Sequence, residues 1–268
     1  MVDDRISSVR QCIRHHFSTC TPGDQRTSQN RFEMKPADLK QNRILAALPA
    51  DEFDRIQGLL RVESFPSGKI LYDCGETIST VYFINTGMVS LVSMTDEGSS
   101  IEVGLIGHEG MLGISAILGY HRMPQRAIVQ LPLSASKLPL NALSLELSHR
   151  GKLQSLLMRQ MYLLHFQVAR SVLCNRFHNI ESRLCRWLLM SRERLVSNQL
   201  PLTQEFIATM LGVARPMVSL TARTLQTAGL INYKAGHITI LDLKGLQAAS
   251  CECYEIVRQE SDRFSESR

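Results

Sequence analysis

The cysteines are the side chains of this sequence best suited to bind a metal or to change redox state. Cys251 and Cys253 form a C-x-C pair, and no cysteine pair is followed by a histidine at the spacing of a zinc site. The cysteine count, seven, is odd, which disfavours a complete set of disulfides. The sequence therefore predicts ordinary reduced thiols and no metal site, with redox or metal sensing by Cys251 and Cys253 as the alternative.

The other residue types used in catalysis form no recognisable arrangement. No Ser-His-Asp set can be identified from the spacing, and the acidic residues are scattered along the chain. The phrase GLIGHEGMLG has glycine at every third position, but it lacks the lysine and the following serine or threonine of a phosphate-binding P-loop. It predicts tight turns instead, so we expect a protein that is not an enzyme and holds no cofactor.

Positive charge is concentrated in one part of the chain. The net charge is +5, and the segment Arg176–Gln247 alone carries nine basic residues against four acidic ones, an excess of the same size. An anionic partner such as double-stranded DNA is therefore expected to bind this segment.

Composition excludes several classes of protein. Hydrophobic residues make up 44% and charged residues 21% of the chain, which disfavours wholesale disorder. The best apolar run, Gly104–Leu118, is broken by His108 and Glu109 and is shorter than the ~18 residues of a membrane span. The amino terminus has no apolar segment of the secretory type. We expect a soluble, cytoplasmic protein with no membrane partner.

The hydropathy pattern changes twice along the chain. Between Val62 and Leu140, short β-type segments alternate with glycine-containing turns, which is typical of an antiparallel barrel or roll. From Asn141 to Cys174 the pattern becomes helical. An apolar stripe repeats there at intervals of four, four, three and four residues: Leu153, Leu157, Met161, Leu164 and Val168.

This stripe predicts a helix of about thirty residues, roughly 45 Å long, which is more than one small roll can cover. Its heptad-like spacing favours a two-fold dimer through the stripe. The alternative is that the stripe packs on the chain's own domain.

Small and apolar residues then recur at the spacing of a helix-turn-helix. With Gln204 as position one, Ala208 stands at five and Gly212 at nine. A small residue at five lets the helices approach, and glycine at nine takes the left-handed conformation of the turn. Thr203 is the predicted N-cap of the first helix. Two predicted strands flank Lys234-Ala235-Gly236, which completes a winged helix.

From Ile44 to about Leu246 the chain resembles the CRP/FNR family of bacterial transcription regulators. The order of elements and the phrases YFINTGMVSLV and GHEGMLG carry the resemblance, together with Leu202–Leu241. The resemblance implies a homodimer that binds a two-fold DNA site and senses a signal in its roll. It adds RNA polymerase as a candidate partner and a small-molecule effector of unknown identity.

The predicted fold class is α+β, with an N-terminal antiparallel β roll of the jelly-roll kind, a long dimerisation helix and a C-terminal winged helix-turn-helix. The expected domains are a flexible tail (1–41), a cyclic-nucleotide-binding-like sensor roll (42–140), the dimerisation helix (141–175), the DNA-binding domain (176–248) and a C-terminal tail (249–268).

The roll departs from family members that bind cyclic AMP. The resemblance implies a glutamate for the ribose hydroxyl and an Arg-Ser or Arg-Thr pair for the cyclic phosphate. Here Gly113 is followed by Ile114, and Gln125 takes the arginine position. Arg126 is one place along, and strand alternation points it to the other face. These four residues are the candidate effector pocket, but we expect no cyclic AMP binding.

Other members of the family bind an iron–sulfur cluster or haem. The iron–sulfur members need a cluster of N-terminal cysteines, and Cys12 and Cys20 are too few and too far apart. His108 and His121 remain open as haem ligands, against the ordinary interpretation that they are surface residues.

The second helix of the motif also departs from the family. The family's Arg, Glu and Arg at three base-reading positions correspond to Arg215, Pro216 and Leu220, so the target site should differ. Pro216 disfavours helical φ/ψ at Arg215, which predicts Arg215 at the helix cap. The candidate DNA-contacting residues are Thr203, Gln204, Arg215, Pro216, Met217, Ser219, Leu220, Thr221, Arg223 and Lys234.

A second function stays open at this point: a ligand-binding signalling module whose winged helix mediates protein contacts. DNA affinity and its salt dependence distinguish the two, because a DNA reader must lose affinity steeply as salt rises.

Overall fold

The computed structural model describes residues 39–266. A 3₁₀ turn at Leu39–Gln41 and two short helices, α1 (Arg43–Ala46) and α2 (Ala50–Gln57), precede the first strand. Asn42 caps α1, and its amide also donates to the carbonyl oxygens of Ile84 and Gly110 at 2.8 and 2.9 Å. This side chain therefore fastens the first helix to the roll. Most of the tail expected at 1–41 lies outside the described residues.

Six antiparallel strands form the roll, as the alternating pattern predicts: β1 (Arg61–Phe65), β2 (Ile70–Tyr72), β3 (Thr80–Met94), β4 (Ser100–Ile106), β5 (Met111–Leu112) and β6 (Arg126–Pro139). The main path through the sheet is β1-β6-β3-β4, while β2 pairs with β6 and β5 with β3. The long strands β3 and β6 pair through three register shifts. These irregularities let two long strands curve around a single core.

The helical region after the roll consists of two helices, α3 (Leu140–Ser148) and α4 (Lys152–Phe177), where the sequence predicts one. Arg150 has a φ of 54°, which interrupts the helical conformation. Glu52 then caps α4, because its carboxylate accepts from the backbone N–H groups of Lys152 and Leu153 at 2.7 and 2.9 Å. Although α4 has 26 residues, none of the described helices has the length and apolarity to cross a membrane.

The predicted winged helix-turn-helix is confirmed. Its elements are α5 (Ile180–Leu195), β7 (Gln199–Pro201), α6 (Gln204–Leu211), α7 (Arg215–Thr227), β8 (Ile231–Lys234), β9 (His237–Ile240) and α8 (Leu243–Ala249). The wing has a third strand that the sequence pattern missed, because β7 pairs with β9. The prediction of a tail at 249–268 is wrong, since α9 (Cys253–Glu266) occupies most of this segment and contacts α4.

The roll and the winged helix share a hydrophobic core. One cluster fills the roll itself. A second cluster joins Met88 and Leu105 of the roll to Leu184, Trp187 and Leu188 of α5. Trp187 is almost fully buried there. The winged helix-turn-helix domain is therefore packed directly on the roll.

The apolar stripe expected to form the dimer seam faces the chain's own roll. Leu153 and Leu157 are fully buried in the core of the roll, and Leu164 packs against that core. A methyl group added at Gly104 would lie 2.9 Å from Cδ1 of Leu164 and 3.9 Å from Cγ2 of Val168. The burial of Leu153 and Leu157 keeps these two residues out of a dimer seam. The contacts of Leu164 and Val168 with the roll favour the alternative that the stripe packs on the chain's own domain, while Met161 is half-buried.

A different stripe of α4 remains exposed. It repeats at intervals of four, three, four and three residues: Met158, Tyr162, His165, Ala169 and Val172. Met158 and Tyr162 are each 45% exposed and Val172 is 68% exposed. This spacing is that of a coiled-coil seam, and we call it the outer stripe of α4.

Candidate nucleic-acid interface

The turn between α6 and α7 has the predicted geometry. Gly212 takes the left-handed conformation (φ 62°), and the N–H of Val213 bonds to the carbonyl of Ala208 at 3.0 Å. Thr203 is the N-cap, because its side chain accepts from the N–H of Phe206 at 3.2 Å. Ala208 is buried between the helices. These local contacts fix the angle at which α7 leaves the domain.

The outer face of α7 is open. The side chain of Arg215 is 64% exposed, Met217 is 49% exposed and Leu220 is 65% exposed. Pro216 and Arg223 are exposed as well. Arg215 Nε lies 3.9 Å from Glu205 Oε2, a loose surface pair that a phosphate or a base edge can replace.

Three predictions on α7 need correction or refinement. Thr221 was predicted to contact DNA, but it is only 3% exposed, on the inner face of the helix, so that prediction is wrong. Ser219 is half-buried, and its hydroxyl donates to Gln204 Oε1 at 2.5 Å, so these two side chains bind each other. Arg215 is the first helical residue rather than the cap, which is Ala214. A residue before proline is disfavoured in the α region but not excluded from it, and the bond from Met217 N–H to Ala214 closes the first turn.

The wing ends in a tight hairpin. Ala235 and Gly236 have φ values of 50° and 76°, the pair of positive angles that two-residue hairpins favour. Lys234 is exposed beside this turn, and a methyl group at Gly236 would lie 3.6 Å from Thr203 Cγ2. The wing tip therefore lies next to the N-terminus of α6.

Part of the local positive charge is directed inward. Arg183 and Arg186 are more than nine-tenths buried, and the side chain of Arg194 is 11% exposed. Arg183 donates to the carbonyl of Leu211, and burial lowers its pKa. The cations left on the outer surface of α7 and the wing are Arg215, Arg223 and Lys234. The charge available for DNA is therefore smaller than the segment total suggests.

The candidate effector residues form no exposed cationic site. Gly113 has a φ of 94° and lies against Val81, and Ile114 opens a 3₁₀ turn. Arg126 is bound bidentately to Asp73, through Nε and Nη2 at 2.9 and 2.8 Å, and this bond lowers the pKa of Asp73. Ala127 is in the core of the roll, so Arg126 lies on the opposite face, as strand alternation predicts. Gln125 is half-buried and carries no charge, so it does not add a cation to this region.

Two acidic side chains of the roll bind α5 of the winged helix-turn-helix domain. Glu102 accepts hydrogen bonds from Trp187 Nε1 at 3.1 Å and from Ser90 Oγ at 2.7 Å, and burial raises its pKa to about 7. Glu109 accepts from Nε and Nη2 of Arg194 at 2.9 and 2.6 Å. Burial opposes the charge of Glu109, but the Arg194 guanidinium outweighs it and keeps the pKa of Glu109 below its ordinary value. These contacts connect the sensor roll to the helix before the motif.

The two histidines left open as haem ligands have unlike surroundings. His121 is exposed, whereas His108 is partly buried next to Glu109, and burial lowers the pKa of His108. Neither position combines a histidine with a described haem-sized pocket of apolar residues.

The structure assembles one group that the sequence prediction of no metal site did not foresee. Cys174, His178, Cys251 and Cys253 place their ligand atoms within 4.8 Å of one another. The signal in the sequence is a cysteine in the last turn of a helix and a histidine four residues later, combined with the distant C-x-C pair.

Two segments of the chain match known protein domains. Residues 62–148 match a cyclic nucleotide-binding domain, and residues 182–249 match a Crp-like helix-turn-helix domain. A cyclic nucleotide-binding domain followed by a Crp-like helix-turn-helix domain is the arrangement of a CRP/FNR-type transcription regulator. The chain belongs to the CRP/FNR family.

Solved structures of this family share the fold. FixK2 from Bradyrhizobium japonicum matches with a TM-score of 0.62 and 17% identity, over 72% of this chain and 98% of that chain. A CRP-family transcriptional regulator from Thermus thermophilus matches with a TM-score of 0.59 and 22% identity, over 70% and 96%. The c-di-GMP responsive regulator CLP from Xanthomonas campestris matches at 0.60 and 15%, over 72% and 100%. No curated protein matches the chain.

Proposed function

We propose that this regulator binds DNA sequence-specifically, as a homodimer on a two-fold site. The observation that carries the proposal is the outer face of α7, which is exposed, projects from a well-packed motif and begins with the unburied arginine Arg215. A helix presented in this way fits the major groove of DNA.

Arg215 and Arg223 have different roles in this proposal. Arg215 opens the helix, and the N-terminal end of a recognition helix lies deepest in the groove, where arginine bridges O6 and N7 of guanine. Arg223 lies about two turns further along, where the helix leaves the groove, and contacts backbone phosphate. Lys234 of the wing contacts phosphate as well. Met217 and Leu220 offer apolar contact to thymine methyl groups.

The outer stripe of α4 is the proposed dimer seam. Its heptad spacing suits two parallel helices around a two-fold axis. The stripe is exposed and largely apolar, with His165 among its members, and the Tyr162 hydroxyl donates to Glu260 of α9 at its edge. The stripe ends at Val172, in the last two turns of α4, and α5 begins soon after α4 ends, so pairing along the stripe would set the distance between the two recognition helices.

The alternative function, protein contact through the winged helix, is tested by binding to duplex DNA at several salt concentrations. Affinity for DNA that falls steeply as salt rises supports the proposal, because each neutralised phosphate releases counterions. The absence of DNA binding at low salt, under several growth-related effector conditions, would favour the protein-contact function.

We expect Arg215→Ala and Arg223→Ala to weaken DNA binding in different ways. Arg215→Ala should cost about 1–3 kcal/mol on the specific site and relax the preference at one base pair per half-site. Arg223→Ala should weaken specific and scrambled duplexes about equally and lower the salt slope by about one unit per protomer. Fluorescence anisotropy on both duplexes at several salt concentrations measures these quantities.

Arg192→Ala is the matched control for these variants, because Arg192 Nε bonds to Asn198 away from the outer face of α7. It should leave both affinities unchanged. If Arg215→Ala weakens both duplexes by the same factor, Arg215 is a phosphate contact and specificity comes from Ser219 or from DNA shape.

Cyclic AMP is expected to leave DNA affinity unchanged. Ile114 stands where a ribose-binding acid is needed, and the charge of Arg126 is already paired with Asp73 on the outer face of its strand. Isothermal calorimetry and anisotropy with and without the nucleotide check this. Micromolar cyclic AMP binding accompanied by tighter DNA binding would contradict it.

A further inference from the structure

Four ligating side chains meet where α4 ends. Cys174 is in the last turn of α4 and His178 follows its last residue, while Cys251 and Cys253 lie at the start of α9. The Sγ atoms of Cys174 and Cys251 are 3.5 Å apart, and Cys253 Sγ is 3.7 Å from His178 Nδ1. All four ligand atoms lie within 4.8 Å of one another, and the three cysteines are buried.

The separations of 3.5 and 3.7 Å are those of neighbouring ligand atoms in a tetrahedral site around one ion. Bonds of about 2.3 Å to sulfur and about 2.0 Å to nitrogen at tetrahedral angles put neighbouring ligand atoms roughly 3.5–3.8 Å apart. Three thiolates and one imidazole are a set that zinc prefers. An iron–sulfur cluster holds several irons between its cysteines and needs a wider spacing than this one.

The histidine is already oriented as a ligand. Its Nδ1 atom faces Cys253, while its Nε2 atom lies 3.2 Å from Glu252 Oε1. When Nε2–H donates to that carboxylate, the lone pair of Nδ1 points at the cluster. A carboxylate behind a histidine is the usual outer partner of a zinc ligand, because it fixes the tautomer and the ring orientation.

A buried cation balances the charge of such a site. Arg186 is 6% exposed, and its Nε atom has no hydrogen-bond partner among residues 39–266. Its charge acts on the thiols of Cys174, Cys251 and Cys253. Zinc with three thiolates and a neutral imidazole carries one net negative charge, which the Arg186 guanidinium neutralises.

We propose that Cys174, His178, Cys251 and Cys253 bind a single zinc ion in a tetrahedral site. The ion joins the end of the long helix to the start of α9, across the junction at which α5 and the DNA-binding domain begin. On metal binding, each remaining thiol proton leaves to solvent, and no electron is transferred.

A regulatory consequence rests on the function proposed above. His178 and Asn179 form the connection between the dimer helix and the DNA-binding domain. Zinc bound on one side of this connection restricts the directions in which the domain can turn. Loss of the ion should therefore weaken specific DNA binding, while the roll remains folded.

The first experiment measures metal on the full-length chain without DNA. Reduced protein, purified with zinc, should contain one zinc ion per chain by elemental analysis and native mass spectrometry. Stripped protein titrated with Co²⁺ should show the intense visible bands of tetrahedral cobalt and a thiolate-to-metal charge-transfer band.

Single substitutions assign the ligands. Cys174→Ser, Cys253→Ser and His178→Asn should each abolish the tetrahedral cobalt spectrum. Glu252→Gln should keep the spectrum and lower zinc affinity about 10–100-fold, since it weakens only the outer partner of His178. The matched controls are Cys185→Ala, a buried cysteine outside the group, Cys74→Ser, an exposed one, and Glu255→Gln, a nearby acid outside the group. All three should bind zinc as the parent does.

The outcomes separate this proposal from the proposed function. Folded, reduced parent protein that takes up neither zinc nor cobalt overturns the metal site, even if the ligand variants are unstable. A Cys174–Cys251 disulfide found in metal-free protein that was purified without reductant would overturn the metal site and identify a redox pair instead. Because zinc uptake is measured without DNA, a failure of DNA binding would leave this result unaffected, and unchanged DNA affinity after stripping would remove only the regulatory consequence.

Discussion

Replacing Val172 with aspartate is expected to convert the proposed dimer into monomers and to weaken binding to a two-fold DNA site by about 100-fold or more, equivalent to about 2.8 kcal/mol. Val172 is 68% exposed in the outer stripe of α4. In a parallel two-fold pair each introduced aspartate would meet its own copy, so the seam would bury two like charges. Analytical ultracentrifugation and DNA titration measure the two effects.

Val196→Asp is the matched control, since Val196 is an exposed valine that follows α5 and lies outside the stripe. It should remain dimeric and bind DNA as the parent does. A Val172→Asp protein that sediments as a dimer would place the seam elsewhere. Leu164→Asp, by contrast, should destabilise the roll itself, because Leu164 packs on that core.

Glu102→Gln is expected to stabilise the chain at pH 8 by about 2–3 kcal/mol and to have little effect at pH 5. Burial raises the pKa of Glu102 to about 7, above its ordinary value of 4.5, so the folded state favours the protonated carboxyl. The corresponding stability is fully present below pH 4.5 and is lost as the pH rises through 7. Urea unfolding at pH 5, 6.5 and 8 measures the difference between variant and parent.

The hydrogen bonds around Glu102 agree with a neutral side chain. Ser90 Oγ lies within hydrogen-bond distance of two acceptors, Glu102 Oε2 and Gln130 Oε1, but it has only one proton to donate. A protonated Glu102 can donate to Ser90, which then donates to Gln130, and a glutamine amide can do the same. Glu97→Gln, an exposed control, should change stability equally little at each pH. Parallel pH profiles for Glu102→Gln and the parent would show that Glu102 is ionised in the folded chain.

Features encoded by short-range spacing could be predicted from the sequence. The turn at Gly212, the cap at Thr203 and the wing hairpin each depend on residues within a few positions, and all three are confirmed. Thr221 is an exception. It lies on the inner face of α7 with Val218, Ala222 and Leu225. Because threonine is polar, the sequence pattern assigns Thr221 to the exposed face.

Features that depend on which surfaces meet could not be predicted. The long helix carries two stripes at nearly the same spacing, and the sequence pattern favours the leucine-rich stripe as the seam. The roll instead covers that stripe, because its own core is incomplete without Leu153 and Leu157. The carboxylate that caps α4 belongs to Glu52, which is 100 residues from Lys152 in the chain, and no local pattern encodes this contact.

The group around Cys174 shows the same limit for chemistry. Cys174 and Cys251 are 77 positions apart, and they meet only because α9 folds back along α4. Two of the four ligands, Cys251 and Cys253, lie in the segment 249–268, for which the sequence predicts only a tail.

The hydrophobic cluster that Met88 and Leu105 share with Trp187 and Leu188 limits how this chain can be recombined. A chimera joined at the connection near Asn179 would combine domains from two different proteins. The apolar residues of the roll and of α5 that form this cluster would then lose their partners and become exposed. If the winged helix-turn-helix domain is exchanged for that of a relative, the residues of β3 and β4 that pack against it must therefore be exchanged too. We therefore expect the residues of the roll and of the winged helix-turn-helix domain that meet in this cluster to change together in evolution.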